Sequence, residues 1–366
     1  MNYRGRADFV HGGPERTGIL LCNLGTPDAP TTAAVRRYLA EFLSDPRVVE
    51  LPRWLWLPLL HGIILNLRPQ RSARAYRDIW GDDGSPLLRR SESLRDALTA
   101  ALHAQYGELV EVALGMRYGQ PSIAQALDAL IAADARRILV VPLYPQYAAA
   151  TTASVYDAVF AYCNRLRWVP ELRFIASYHD HPSYIDALAA SAAAYWADAP
   201  RGERLLMSFH GIPRDSFLAG DPYHCQCQAT ARLLAARLEL PAERWQITFQ
   251  SRVGPKAWLE PYTDQTLSAW GRAGVGDIDV ICPGFAVDCL ETLEEIALQN
   301  AERFHAAGGG ALRYIPALND SADHVRALSD VITRHLQGWP IVDVPSADIV
   351  AACDAAGARA RAAGGR

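Results

Sequence analysis

Short apolar, β-branched runs alternate along the chain with longer stretches of helical periodicity. The runs are residues 18–22 (GILLC), 110–114 (VEVAL), 137–142 (RILVVP), 172–176, 204–209 (RLLMSF), 245–249, 278–282 (IDVIC) and 312–315. Most are apolar throughout, as strands covered on both faces must be. Between them lie Ala/Leu/Arg-rich stretches such as 122–133 and 229–238, whose apolar positions recur at 3.6-residue spacing. Alternation of this kind makes parallel sheets joined by helical crossovers. The pattern therefore predicts an α/β fold of two lobes, each a parallel sheet of about four strands flanked by helices, with a cleft between them. No internal repeat or low-complexity linker divides the halves. We set the boundary near Ala158, with residues 1–158 and a returning segment 314–366 in the N-terminal lobe and 159–313 in the second. The tail AGARARAAGGR (356–366) is expected to fray.

One segment departs from the alternation. Residues 54–67, from Trp54 to Leu67, read WLWLPLLHGIILNL and carry no formal charge. A spanning helix needs about 20 apolar residues, and Pro58 and His61 interrupt this one, so it cannot cross a bilayer. From the segment alone, a buried helix pair is favoured over an exposed apolar lip.

The unusual polar residues fall where strands end. Asn23 and Gly25 follow the first run, Arg117 and Tyr118 the second, and Tyr144, Gln146 and Tyr147 the third; His210 ends MSFH, Gln250, Ser251 and Arg252 end ITFQSR, and Asp288 follows VICPGFAV. Ligands of open α/β sheets bind outside the carboxyl ends of the strands, so these groups should line one cleft.

Composition narrows the chemistry. At 366 residues the chain suits two lobes, and a net charge of −4 without a basic run excludes a nucleic-acid groove. Lys256 is the only lysine, which argues against Schiff-base chemistry. Seven cysteines form no framework, and residues 1–16 hold no apolar stretch of signal-peptide length, so a cytoplasmic protein is expected. Glycine-rich nucleotide loops and the G-x-S-x-G elbow are absent. Cys225 and Cys227 beside His224 lack a second metal-binding pair and read as a helix start, as does His179-x-His181-Pro182.

At 100° per residue, Asp288, Glu291 and Glu295 fall within about 60° of arc on the helix expected after Pro283, with Gln299 and Glu302 continuing the stripe. An isolated stripe of this kind is ordinarily a solvated surface. This one starts at a strand's carboxyl end, where crowded carboxylates favour a cation or a held proton. His210, ending another strand, can accept a proton near neutrality or bind a divalent metal. Together they suit an exchange of protons for a metal ion.

Eight strings carry a resemblance: LCNLGTPD from 21, YRDIWGDDGSPLL from 76, MRYGQPSI from 116, VPLYPQYAAATTAS from 141, SFHGIPRD from 208, GDPYHCQC from 220, FQSRVGPKAWLEPYTDQTL from 249 and CPGFAVDCLETLEEI from 282. In this order, from about Thr17 to Leu336, they resemble the ferrochelatases, bacterial type. The resemblance implies two Rossmann-like lobes around a porphyrin cleft. It puts the catalytic histidine at His210 and the catalytic glutamate at Glu291, both also as metal-handling groups, with Asp288 and Glu295 as neighbouring acids on a partly π-helical segment. Leu24, Arg117, Tyr118, Gln250, Ser251 and Trp258 match positions around the macrocycle. The segment 54–67 matches the cleft rim, which reverses the preference for a buried pair and adds peripheral contact at the inner face of the membrane. Cys353 stands alone where cluster-bearing members have several cysteines, so no [2Fe-2S] cluster and no resident cofactor are expected. Cys289 replaces a histidine that some members carry.

The implied reaction inserts Fe²⁺, as a substrate, into protoporphyrin IX, giving protoheme and two protons. His210 would accept the protons and Glu291 would deliver metal, or the two roles would be exchanged. Glu291 is expected to face the ring, with Glu295 one turn further out in metal supply. Arg68, Arg71 and Ser85 are the candidates to hold the propionates. The alternatives are coproporphyrin as substrate, or a two-lobed protein that binds metal or porphyrin without turnover.

Overall fold

The computed structural model describes residues 3–6, 9–13, 15–341 and 347–365. Its first sheet contains β1 (Arg16–Thr26), β2 (Val110–Gly119), β3 (Ala135–Pro142) and β4 (Glu171–Phe174) in the order β2-β1-β3-β4. The second contains β5 (Arg204–His210), β6 (Trp245–Gln250), β7 (Ile278–Ile281) and β8 (Leu312–Tyr314) in the order β6-β5-β7-β8. Every pairing within the two sheets is parallel. Ile19, Leu20, Leu21 and Cys22 on the inner strand β1 are fully buried, as helices on both faces require.

The two lobes repeat one plan, although no repeat is visible in the residues. The strand orders correspond. Met116 N–H donates to Pro121 O after β2, as Phe249 N–H donates to Pro261 O after β6. A π-helix follows the third strand in each lobe, at Ala149–Ala153 and Glu291–Asn300. The likeness lies in backbone bonding, which constrains side-chain identity weakly.

The lobes also exchange helices. The helix Pro182–Asp198 follows β4 but packs on Tyr223–Arg237 of the second lobe, while Ala322–Leu336 follows β8 and packs on Pro86–Tyr106 of the first. The two exchanged helices meet each other, with the buried Tyr184 and His324 rings 6.5 Å apart.

The apolar segment is both core and lip. Helix Arg53–Leu59, a π-turn Leu60–Ile64 and helix Leu65–Ile79 run continuously. Trp56, Leu60 and Leu65 are buried, and Trp56 Nε1–H donates to Leu43 O at 2.7 Å. Trp54 is 79% exposed, and Leu55, Leu59, Ile63 and Leu67 face outward with it. The expected fraying of the tail is replaced by a helix, Ala347–Ala362, against whose Cys353 carbonyl Gly12 packs too closely to admit a side chain.

Candidate active site

Strand β5 ends at His210 and pairs it in register with Gln250, the last residue of β6. His210 Nδ1 lies 2.6 Å from its neighbour's carbonyl, Gly211 O. A carbonyl only accepts, so Nδ1 carries the proton and donates, leaving Nε2 as the basic nitrogen. The half-buried Trp258 ring lies 6.4 Å from the imidazole, its Nε1–H tied to Val253 O at 3.0 Å.

The end of β6 grips the acidic π-helix. Gln250 Nε2–H donates to Glu291 O at 2.9 Å and to Glu295 Oε2 at 3.3 Å. Ser251 donates its N–H to Glu295 Oε1 at 2.8 Å and its hydroxyl to Oε2. It does so from φ 64°, a left-handed conformation that costs a non-glycine residue about 1–2 kcal/mol. Behind Gln250 a buried chain continues, from Ser208 Oγ to Gln250 Oε1 (2.7 Å) and on through Thr263 to Thr248. Burial pushes the Glu295 carboxyl pKa up, opposed by the Ser251 hydrogen bonds and the nearby His210. Gln250 and Ser251, expected beside the macrocycle, are therefore committed to Glu295.

Glu291 faces the first lobe. Its charge, after burial, is among the causes that raise the pKa of Tyr38, of Tyr76 and of Cys289. Burial depresses Arg68, and the groups close enough to act on it include Tyr76, Arg71, Glu291 and Tyr38. The expectation that Glu295 lies outward of Glu291 changes accordingly: Glu295 sits against β6 on the His210 side, and Glu291 spans towards the other lobe.

The acid stripe is not continuous. Asp288 precedes the helix, and its carboxylate is buried and engaged by Tyr314 OH (2.7 Å), Thr292 Oγ1 (3.1 Å), Ala317 N (3.3 Å) and Asn319 Nδ2 (2.8 Å). Three of these donors fall on Oδ1 and one on Oδ2, and Ala317 and Asn319 among them tie the carboxylate to the segment after β8. Gln299 also leaves the stripe, because π-helical i→i+5 bonding widens each turn and brings it onto Glu294. Gln299 and Glu302 are exposed.

In the first lobe, Gly25 must be glycine, since at φ 107° any Cβ would strike the Tyr118 carbonyl. Beside it, Arg117 and Tyr118 converge on Asp45, a residue that sequence reasoning missed. Asp45 Oδ2 accepts from Arg117 Nη2 (2.5 Å), Tyr118 OH (2.8 Å) and Ser154 Oγ (2.5 Å). Burial disfavours its charge, but these donors and the Arg47 N–H hold its pKa below the usual carboxylate range. Tyr118 is 1% exposed, so in this conformation it offers no open face to a ring. Leu24 is half-buried in the cluster that includes Tyr118, Ile64 and Leu290.

Ser85 is buried and shares a 2.8 Å hydrogen bond with Thr26 Oγ1. Both line an open cavity of about 450 Å³ with Trp80, Leu88 and Arg89. Arg68 and Arg71 do not line it.

Two parallel α/β lobes, facing each other across a histidine and paired carboxylates at their strand ends, define a chelatase-type protein. Solved structures share that fold: SirB from Bacillus subtilis with Fe³⁺ has a TM-score of 0.51 at 11% identity, covering 87% of this chain and 95% of that one. The sirohydrochlorin chelatase SirB from Bacillus subtilis subspecies spizizenii, in complex with cobalt, also gives 0.51 at 11%, covering 89% and 98%. The ferrochelatase family model matches residues 16–336. The ferrochelatase of Nitrosococcus oceani is 57% identical over 94% of this chain and 93% of its own length, and that of Thioalkalivibrio sulfidiphilus 54% over 100% and 99%. The chain belongs to the ferrochelatase family.

Proposed function

We propose that the protein inserts Fe²⁺ into protoporphyrin IX, giving protoheme and releasing two protons in heme synthesis. The observation that carries this reading is the meeting, in a member of this family, of His210, whose Nδ1 is engaged by Gly211 O, with Glu295 of the acidic π-helix, on which Glu291 turns towards the first lobe. A protein that only stored metal or porphyrin would have no need of a basic nitrogen beside fixed acids.

On this reading the macrocycle lies against Leu24 and Trp258, and His210 Nε2 takes a pyrrole N–H proton. Glu291, less tied than Glu295, hands Fe²⁺ from the first-lobe side, while Glu295 balances the charge that His210 acquires. Iron enters as substrate. We assign no cluster, a reading supported by the placement of the cysteines, with Cys353 on the tail helix apart from Cys225 and Cys227. The helix exchange supports a return of the chain to the first lobe after β8, whereas β4, paired with β3 in the first sheet, favours a boundary after Phe174 over one near Ala158.

Anaerobic mixing of purified protein with Fe²⁺ and protoporphyrin, with coproporphyrin in parallel, tests the reading. Heme formed faster from protoporphyrin supports it; faster coproporphyrin turnover overturns the substrate, and tight binding without turnover overturns the enzyme.

We also propose that the lip rests on the cytoplasmic face of a membrane. Trp54, Leu55, Ile63 and Leu67 are exposed apolar side chains on one helical run, and no helix among the described residues is long and apolar enough to cross a bilayer.

A further inference from the structure

Asn319 sits in the turn after β8, at φ 48°, where the chain returns to the first lobe. Its side-chain amide reads Asp288 twice: Oδ1 accepts from Asp288 N–H at 2.9 Å, and Nδ2 donates to Asp288 Oδ2 at 2.8 Å. Asp288 in turn accepts from Thr292 Oγ1, which is inside the π-helix and flanked by Glu291. The Asn319 backbone is fixed from both sides, its N–H donating to Ala286 O at 3.0 Å and its carbonyl accepting from His324 Nδ1–H at 2.6 Å. His324 is fully buried and packs against Tyr184, so the chain of contacts runs from the helix exchange between lobes to Asp288, in the turn before Glu291's helix.

The repeated plan supplies an internal control. The register that matches Val140–Phe174 with Val280–Tyr314 also matches Ala148 with Asp288, and His179 with Asn319. In the first lobe the turn carbonyl of His179 accepts from Thr230 of the other lobe, and an alanine side chain at 148 has nothing to clamp. The π-helix there spans 5 residues and carries no acid, whereas that of the second lobe spans 10 and carries Glu291, Glu294 and Glu295. The clamp accompanies the acids, not the fold.

We infer that Asn319 is a positioning residue for metal insertion: through Asp288 and Thr292 it fixes the start of the π-helix, and so the placement of Glu291 and Glu295 against His210. This rests on the ferrochelatase reading above. Asn319→Gly is the cleanest variant, because glycine accepts the left-handed backbone without strain and removes only the amide. Asn319→Asp keeps the shape and the acceptor for Asp288 N–H but loses the donor, and sets a second carboxylate against the first.

Wild type and both variants would be compared by thermal melting, amide hydrogen exchange over residues 288–300, and initial rates against Fe²⁺ and porphyrin. The expected result for Asn319→Gly is a melting temperature near wild type, exchange over 288–300 raised selectively, and kcat lowered about 10- to 100-fold, the usual effect of losing a supporting partner, with porphyrin KM within about threefold. Asn319→Asp should show the same selective exchange and no rescue. Unchanged exchange, or a wild-type kcat in a folded Asn319→Gly, would overturn the inference, as would activity falling only in proportion to unfolded protein. An inactive wild type would sink the proposed function, yet the exchange pattern would still decide the clamp.

Discussion

Ser251 holds both oxygens of the Glu295 carboxylate, with its N–H on Oε1 at 2.8 Å and its hydroxyl on Oε2. One strand-end residue in a left-handed conformation thereby fixes an acid whose pKa burial raises, and partly opposes that rise.

Two replacements separate the backbone from the hydroxyl. Ser251→Gly keeps the left-handed backbone and the N–H donor, so kcat should fall about three- to tenfold with no loss of melting temperature. Ser251→Ala should lose similar activity but keep the strain that glycine relieves, so it should be less stable than Ser251→Gly by about 1 kcal/mol, because alanine, like serine, must adopt φ 64°. Rates and melts check both; wild-type turnover in the glycine variant would remove the hydroxyl from the site's chemistry.

His210→Ala should abolish metallation while porphyrin affinity, which rests mainly on apolar contact, stays within about tenfold. Fluorescence titration with porphyrin and an anaerobic rate assay measure the two. Half of wild-type turnover in this variant would take His210 out of the mechanism.

The two tryptophans of the lip should behave oppositely. Trp54→Ser, at a site 79% exposed, should reduce flotation with anionic liposomes and leave the melting temperature unchanged. Trp56→Ser removes a buried ring and its bond to Leu43 O, and should destabilise by about 3–5 kcal/mol. Equal effects on melting would show that the outer face of the segment is core.

Stability should fall on acidification through His324. Complete burial lowers its pKa to about 4 against an ordinary 6.5, so between those values the unfolded chain binds a proton that the folded chain refuses. The unfolded state is thereby stabilised relative to the folded one as pH drops from 6.5 towards 4, by about 3 kcal/mol in total for this residue. Urea unfolding at pH 7 and pH 5 should show a larger loss for wild type than for His324→Phe; parallel losses would mean that other groups set the acid limit.

The strands and their residues at the carboxyl ends were legible because uniformly apolar runs and the polar groups that stop them are local features. All eight runs fall on strands, and His210, Gln250 and Asp288 follow them as the spacing implied. The family was legible too, because long motifs survive as strings. Which acids share a face was not. Asp288 and Glu291 are three apart, and 100° per residue puts them side by side, but a π-helix and the turn before it change the phase, and Asn319, far along the chain, turns Asp288 inward. The same holds for Arg117 on β2, whose charge is met by Asp45 from the loop after the helix Thr32–Leu43. Periodicity and motif order depend on near neighbours and so are fixed by sequence. The partner that finally occupies a carboxylate comes from wherever the packed chain brings a donor, and only the tertiary structure decides that.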